Sequence, residues 1–277
     1  MRRRLLTGLI AALISTSAHA GALRFDGGEF AKIPDTVALR PSEFTIELWF
    51  KAYSTPGSWN HLMTKPTGTG VSDSFWMAFS PNTRMALEVG VDDVELNRWH
   101  HVALTATTTG PGVSYRELFL DGIQIDFWEY NPPWPYDDSP VFLGADDNNH
   151  DGIGGLRFVG LIDEVRIWGQ PRTAAEIQAT KDSELYGTEA GLLAYWRLNE
   201  GQGQIMHDAV ATGSDGLLGY DDLPAGDQWD PAWVTEGAPI TPIPEPATMG
   251  LLALGGLALL KRKQRQWHGV SLIIRKC

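Results

Sequence analysis

The stretch Thr45-Ile46-Glu47-Leu48-Trp49-Phe50-Lys51 alternates, with Ile46, Leu48 and Phe50 on one side of an extended chain and Glu47 and Lys51 on the other. A period of two suits a strand lying on a core and does not suit a helix. The pattern recurs. Leu118 to Ile125 reads as two short strands around Asp121-Gly122, the strongest short-range hairpin signal. Phe75 to Phe79, His100 to Ala106, Val141 to Gly144, Val159 to Trp168 and Leu192 to Leu198 also read as strands, separated by Gly, Pro and Asn. Thr173-Ala174-Ala175-Glu176 is a capping box and predicts one short helix through about Lys181. Together these predict an all-β fold, an antiparallel β-sandwich jelly roll with one short helix.

The two ends carry different signals. Met1-Arg2-Arg3-Arg4, the apolar Leu5 to Ile14 and the small-x-small Ala18-His19-Ala20 have the layout of a secretory signal peptide, so residues 1–20 are expected to form a signal helix cleaved after Ala20. At the other end Pro244-Glu245-Pro246 precedes an apolar run, Ala247 to Leu260, and the basic cluster Lys261-Arg262-Lys263-Gln264-Arg265. The run is shorter than the ~20 residues that cross a bilayer comfortably, which suits a transient stop, with the basic cluster on the cytoplasmic side. This order resembles the PEP-CTERM sorting signal of Gram-negative bacteria that make exopolysaccharide. The resemblance implies recognition by an exosortase, a membrane cysteine transpeptidase-like enzyme, with cleavage near Pro244, Glu245 and Pro246. It further implies export, processing at the inner membrane, and a final place at the cell surface or in the extracellular matrix. The family signal ends soon after its basic cluster, whereas this chain continues from Trp267 to Cys277. The expected organisation is a signal peptide (1–20), a jelly-roll domain with a C-terminal extension (21–237), a sorting signal with an apolar helix (238–266) and an atypical tail (267–277).

Cys277 is the single cysteine and lies beyond the sorting signal, so the exported domain has no disulfide and relies on its core. Nine of the 22 Lys+Arg lie at the two basic ends; the region between them keeps 13 against 34 Asp+Glu, a net −21. Such an acidic body repels nucleic acid and anionic lipid and suits calcium or neutral polymers.

The strings Ala22-Leu23-Arg24-Phe25-Asp26-Gly27, Phe44-Thr45-Ile46-Glu47-Leu48-Trp49, Arg98-Trp99-His100-His101-Val102-Ala103, Leu118-Phe119-Leu120-Asp121-Gly122 and Gly160-Leu161-Ile162-Asp163-Glu164-Val165-Arg166-Ile167-Trp168 follow one another. This order is similar to the laminin-G-like, concanavalin A-like jelly roll, whose members include glycan binders, protein binders and enzyme-attached modules. Sandwiches of this kind often clip their terminal strands with one structural calcium, which implies a site from Asp163 and backbone oxygens near Asp26 to Gly28.

The Glu-x-Asp-x-x-Glu spacing of jelly-roll hydrolases is missing, as are Gly-x-Ser-x-Gly and His-Glu-x-x-His. His100-His101 begins a strand, where alternation points one ring inward and one outward, and reads as structural. No catalytic residue is therefore expected. Two constellations point to binding. Asp147, Asn149 and Asp151, followed by Gly152, match the start of an EF-hand-like calcium loop, but Phe158 stands where the closing Glu belongs. A polar turn is the other reading of that loop. Trp128, Tyr130, Trp134 and Tyr136 lie in a proline-stiffened stretch with nearby carboxylates, which suits stacking on sugar rings; aromatics buried on the sandwich are the other reading. The expected function is a non-catalytic surface or matrix protein that binds extracellular polysaccharide, with a structural or adhesive module that binds surface proteins as the alternative.

Overall fold

In the computed structural model, residues 21–54, 59–68, 72–80, 88–90, 92–110, 113–130, 135–146, 157–211, 213–220 and 226–243 are described. The signal helix, the apolar sorting helix and the tail expected at 1–20, 238–266 and 267–277 lie outside them, apart from residues 238–243. Among the described residues no helix is long and apolar enough to cross a membrane.

The alternating stretch forms β3 (Phe44–Ala52), and the strands run in chain order around it. Before it come β1 (Ala22–Asp26) and β2 (Ala31–Ile33). After it come β4 (Asn60–Thr67), β5 (Ser72–Ser80), β6 (Glu88–Gly90), β7 (His100–Gly110), β8 (Val113–Leu120), β9 (Ile123–Tyr130), β10 (Val141–Leu143) and β11 (Val159–Trp168). The helix α1 (Ala174–Thr180) precedes β12 (Leu192–Trp196), β13 (Ile205–Met206), β14 (Gly216–Leu218) and β15 (Ala232–Val234). Sheet A has the order β15-β1-β11-β3-β7-β8-β9, with β12 also paired to β11; sheet B has the order β13-β14-β2-β10-β4-β5-β6. The predicted antiparallel jelly roll is what forms, with one parallel pair, β5 with β6.

The core lies between the sheets. Ile46, Leu48 and Phe50 of β3 face Phe75, Met77 and Phe79 of β5, and all six side chains are buried. Phe44 sits 5.5 Å from Phe75 and Phe50 6.3 Å from Phe79 by ring centroid. The Asp121-Gly122 hairpin forms as predicted: both residues have positive φ (52° and 83°), as a type I′ turn demands. Asp121 also anchors the neighbouring strand, accepting from His101 N at 2.9 Å and pairing with His100 Nδ1 at 2.9 Å. The predicted capping box is complete at Thr173 and Glu176.

The outer face of sheet A is not a wet face. Glu47 is fully buried there, and of the His100–His101 pair, one of which was expected to point outward, it is His101 that lies on this face, buried as well. The cover is α1 and the chain that follows it, with Ile177 packed on Ala103 and Phe119. Beneath it Glu47 Oε1 accepts from Trp168 Nε1 at 2.9 Å and Arg172 at 3.4 Å. Arg166 donates to Glu164 Oε2 at 2.6 Å and to the Thr180 and Ser183 carbonyls at 3.1 and 2.7 Å. Tyr195 OH donates to the same Glu164 oxygen at 2.6 Å. Isolated charges at such depth would be very costly, and their mutual pairing is what permits them.

Beyond β15 the chain forms a strap over residues 235–243. Lys51 Nζ meets Glu236 at 2.6 Å, Ala238 N donates to Asp163 Oδ2 at 2.8 Å, Thr241 N to the Asp182 carbonyl at 2.8 Å, and Ile243 N to Glu184 Oε2 at 2.9 Å.

Candidate functional site

The four aromatics expected to form a groove are spread over different environments. Trp128 lies on β9, the edge strand of sheet A, not in a loop, and is 48% exposed. Tyr130 ends the same strand, and Trp134 lies outside the described residues. Tyr136 turns inward. Its ring packs on the central core and its hydroxyl donates to the Pro41 carbonyl at 2.8 Å, while burial pushes its ionisation up. A tyrosine committed in this way is a core residue, so the expected four-ring groove does not form among the described side chains.

The calcium residues also separate. Asp147, Asn149 and Asp151 lie outside the described residues. Asp26 pairs with Val159 in the β1–β11 ladder, while Leu23 pairs with Ile162, which sets Asp163 beside Ala22. The two carboxylates are thus offset by four residues, about 13 Å along the strands, far beyond the reach of one ion with ligands at ~2.3–2.6 Å. Asp26 pairs instead with Arg24 at 3.1 Å, and the Gly28 carbonyl accepts from Arg157. The expected terminal clip from Asp163 and Asp26 to Gly28 is corrected: Asp163 holds backbone, taking Glu164 N and Ala238 N at 2.8 Å each. Among the described residues no group of three or more His, Cys, Asp or Glu side chains is placed to hold a metal ion.

The arrangement best suited to a ligand lies on the outer face of sheet B. Because Phe75 and Met77 enter the core, Trp76 between them must point away from it. Trp59, just before β4, lies nearly parallel to Trp76 (20°, centroids 6.4 Å apart), and His61 stacks on the same ring (23°, 5.6 Å). Trp59 is 39% exposed and Trp76 half-buried. His61 is buried, with Nδ1 bonded to Thr64 Oγ1 at 2.7 Å, and burial depresses its pKa to about 4. The ring is therefore a neutral base plate at ordinary pH. From Trp76 the cross-strand pairing continues through Thr64, Phe142 and Lys32 to Leu217. That line crosses five strands, about 19 Å at ~4.8 Å per strand. At its far end Phe30, Phe142, Tyr220 and Trp229 form a second aromatic cluster, capped by the Arg157 guanidinium 5.0 Å from the Trp229 ring. At the first end the Trp59 ring is exposed; at the other Phe30 and Phe142 are buried while Tyr220 and Trp229 are partly buried. Flat, amphipathic rings of this kind stack on the C–H faces of sugars. The signal for Trp76 was present in the alternation of Phe75 to Phe79; Trp59 gains its role only from tertiary proximity.

A second feature is a cavity of about 310 Å³ at the root of the strap, lined by Gly21, Asp163, Glu164, Glu184, Arg197 and Asn199 and by strap residues. Burial and the adjacent Glu164 carboxylate hold Asp163 well above the usual carboxylate range.

Residues 25–178 match the family model for the concanavalin A-like lectin/glucanases superfamily, and residues 242–266 match the PEP-CTERM protein-sorting motif. No curated protein matches by sequence. Among solved structures, a Bacteroides ovatus protein to which carbohydrate binding is ascribed aligns with a TM-score of 0.52 at 18% identity, over 76% of this chain and 60% of its own. Domain 4 of a GH43 extracellular arabinanase from Geobacillus stearothermophilus, in complex with arabinotriose, aligns at 0.41 and 18%, over 57% of this chain and 75% of its own. The CBM40 of a Ruminococcus gnavus sialidase, bound to α2,6 sialyllactose, aligns at 0.43 and 15%, over 57% and 95%. At these identities the likeness is one of fold. The chain spans about 60% of the length of the Bacteroides protein.

Proposed function

The chain belongs to the concanavalin A-like lectin/glucanases superfamily and carries a PEP-CTERM sorting motif, and from that premise we propose that it is an exported, non-catalytic protein that binds neutral polysaccharide. The observation that carries the reading is the stacked Trp59–Trp76 pair, part of whose indole surface stays in water on the outer face of sheet B. Large aromatics are ordinarily buried, and stacked rings held open on a rigid sheet suit a flat apolar ligand face. The acidic body, net −21 between its basic ends, disfavours anionic sugars through repulsion. The non-catalytic part of the reading is supported by how the buried acids are used. Glu164 is taken by Arg166 and Tyr195, and Asp163 by two backbone N–H groups. Fold likeness to glycan-binding modules is consistent with this reading and does not carry it.

A second reading, adhesion to surface proteins, is favoured by the edge of sheet A, where Ile123, Phe127 and Trp128 are 69%, 51% and 48% exposed. Exposed strand edges recruit other strands.

A glycan array with the processed protein separates the two. Binding to one or more neutral glycans is expected, with affinity about ten-fold lower in Trp76→Ala, equivalent to ~1.4 kcal/mol. The array is run with calcium and with a chelator, because Asp147, Asn149 and Asp151 carry alternating oxygen ligands. No signal under either condition overturns the carbohydrate reading.

A further inference from the structure

Both processing junctions of this chain reach the same cavity. Gly21, the residue after the Ala18-His19-Ala20 cleavage site, lines it on one side; Gly237, Ala238 and Pro242, leading into the sorting motif, line it on the other. Gly21 is buried and its N donates to the Val234 carbonyl at 2.8 Å. A Cβ on Gly21 would stand 2.1 Å from Gly237 N, and one on Gly237 would stand 3.3 Å from Asp163 Oδ2. Gly237 therefore packs against Gly21 on one side and approaches the Asp163 carboxylate on the other, and Gly21 and Asp163 line the same cavity. Both Gly21 and Gly237 have to be glycine for that approach.

Asp163 is the acidic group in this place without a cationic partner. It is 4% exposed and accepts two backbone N–H groups, and among the described residues no Lys or Arg side chain forms an ion pair with it. The nearby guanidiniums are engaged elsewhere, Arg166 with Glu164 at 2.6 Å and Arg197 with Glu184 at 2.9 Å. A buried carboxylate without a cation is expensive, and an amine brought to it is stabilised in its charged form.

We propose that this cavity is the receptor for the chain's own new N-terminus: signal-peptide cleavage turns the Gly21 amide into an α-ammonium, which keeps its bond to the Val234 carbonyl and pairs with Asp163. Hydrolysis of the Ala20–Gly21 peptide bond supplies the amine and its proton comes from water, so no other reactant is needed. Before cleavage Asp163 has no cation; afterwards the ion pair ties β1, β11 and the strap together at the point where Ala238 N also binds Asp163. Removal of the export signal thereby completes the folded body. The proposal rests on reading residues 1–20 as a cleaved signal.

The test compares two exported proteins, the natural chain and one with an alanine inserted between Ala20 and Gly21 so that the amine is moved by one residue, about 3.5 Å. N-terminal sequencing first establishes where each begins; a natural protein that does not start at Gly21 overturns the proposal through its premise. Given a Gly21 start, its α-amine is expected to react with a reductive-methylation reagent at neutral pH at least ten-fold more slowly than in the urea-unfolded protein. The inserted form is expected to react at the ordinary rate and to melt several degrees lower. In Asp163→Asn the melting difference between the two forms is expected to vanish. Equal reactivity and equal melting of the natural and inserted forms overturn the docking while leaving the cleavage reading intact. If Asp163→Asn does not fold, the reactivity measured on the natural protein decides alone.

Discussion

The outer faces of the two sheets invert the usual association of charge with solvent. On sheet A, Glu47, His101, Glu164, Arg166 and Arg172 are all buried and bound to one another beneath α1 and its following chain. On sheet B, Trp59 is exposed and stacked on the half-buried Trp76, and the polar groups nearby, His61 and Thr64, are buried. Charged residues therefore mark the structural face here, and apolar rings mark the face available to a ligand. A closed polar network serves to hold the helix down. An open ring pair has nothing within the chain to hold.

The contrast can be broken most forcefully on sheet A. Arg166→Met removes the partner of Glu164 and leaves Glu47 and Glu164 buried with fewer compensating charges, so a loss of about 3–5 kcal/mol is expected in urea unfolding. Any fraction still folded should bind glycan normally. Lost binding by well-folded protein would mean that the sheet A network belongs to the ligand site.

Next in size is a pH effect shared by both faces. Burial holds His61 and, despite the attraction of Glu47, His101 at a pKa of about 4, below the ordinary 6.5. The unfolded chain takes up protons between pH 6.5 and 4 that the folded chain refuses. The stability due to the neutral rings is thus complete above pH 6.5 and lost as pH falls towards 4, by up to about 3 kcal/mol for each ring. Urea midpoints at pH 7 and 4.5 should differ less in His61→Gln and His101→Gln than in the natural protein; unchanged slopes would show that these rings do not control acid stability.

A smaller effect is expected for Trp59→Ala, a several-fold loss of glycan affinity with the melting temperature within about 2 °C, since a half-exposed ring contributes little to the core. Titration followed by tryptophan fluorescence reads it. Smallest of all is Trp128→Ala, expected to change glycan affinity less than two-fold because Trp128 sits on the β9 edge and not on the sheet B face. If Trp128→Ala abolishes binding while Trp59→Ala does not, the assignment of faces is reversed.

Much of the fold was legible in short patterns. The alternation around Leu48, the Asp121-Gly122 turn and the Thr173 cap each state a local conformation that tertiary packing then accepts. What the alternation could not say is what covers each face. Glu47 and one ring of the His100–His101 pair read as outward, and Glu47 and His101 are outward, but the outward side is roofed by α1, an element more than 70 residues away in sequence. The site was less legible for the same reason. A run of aromatics near Trp134 drew attention by density, yet Tyr136 belongs to the core. Trp59 and Trp76 are separated in sequence and become one surface only when β4 pairs with β5.

The strap that ends the described chain sets how this domain can be handled. Ile243 is still fastened to Glu184, and the next residue is Pro244, the first of the Pro-Glu-Pro triplet. The described body is thus still being fastened one residue before that triplet begins. A load applied beyond Ile243 would be carried first by its bond to Glu184, then by the Thr241–Asp182 and Ala238–Asp163 bonds.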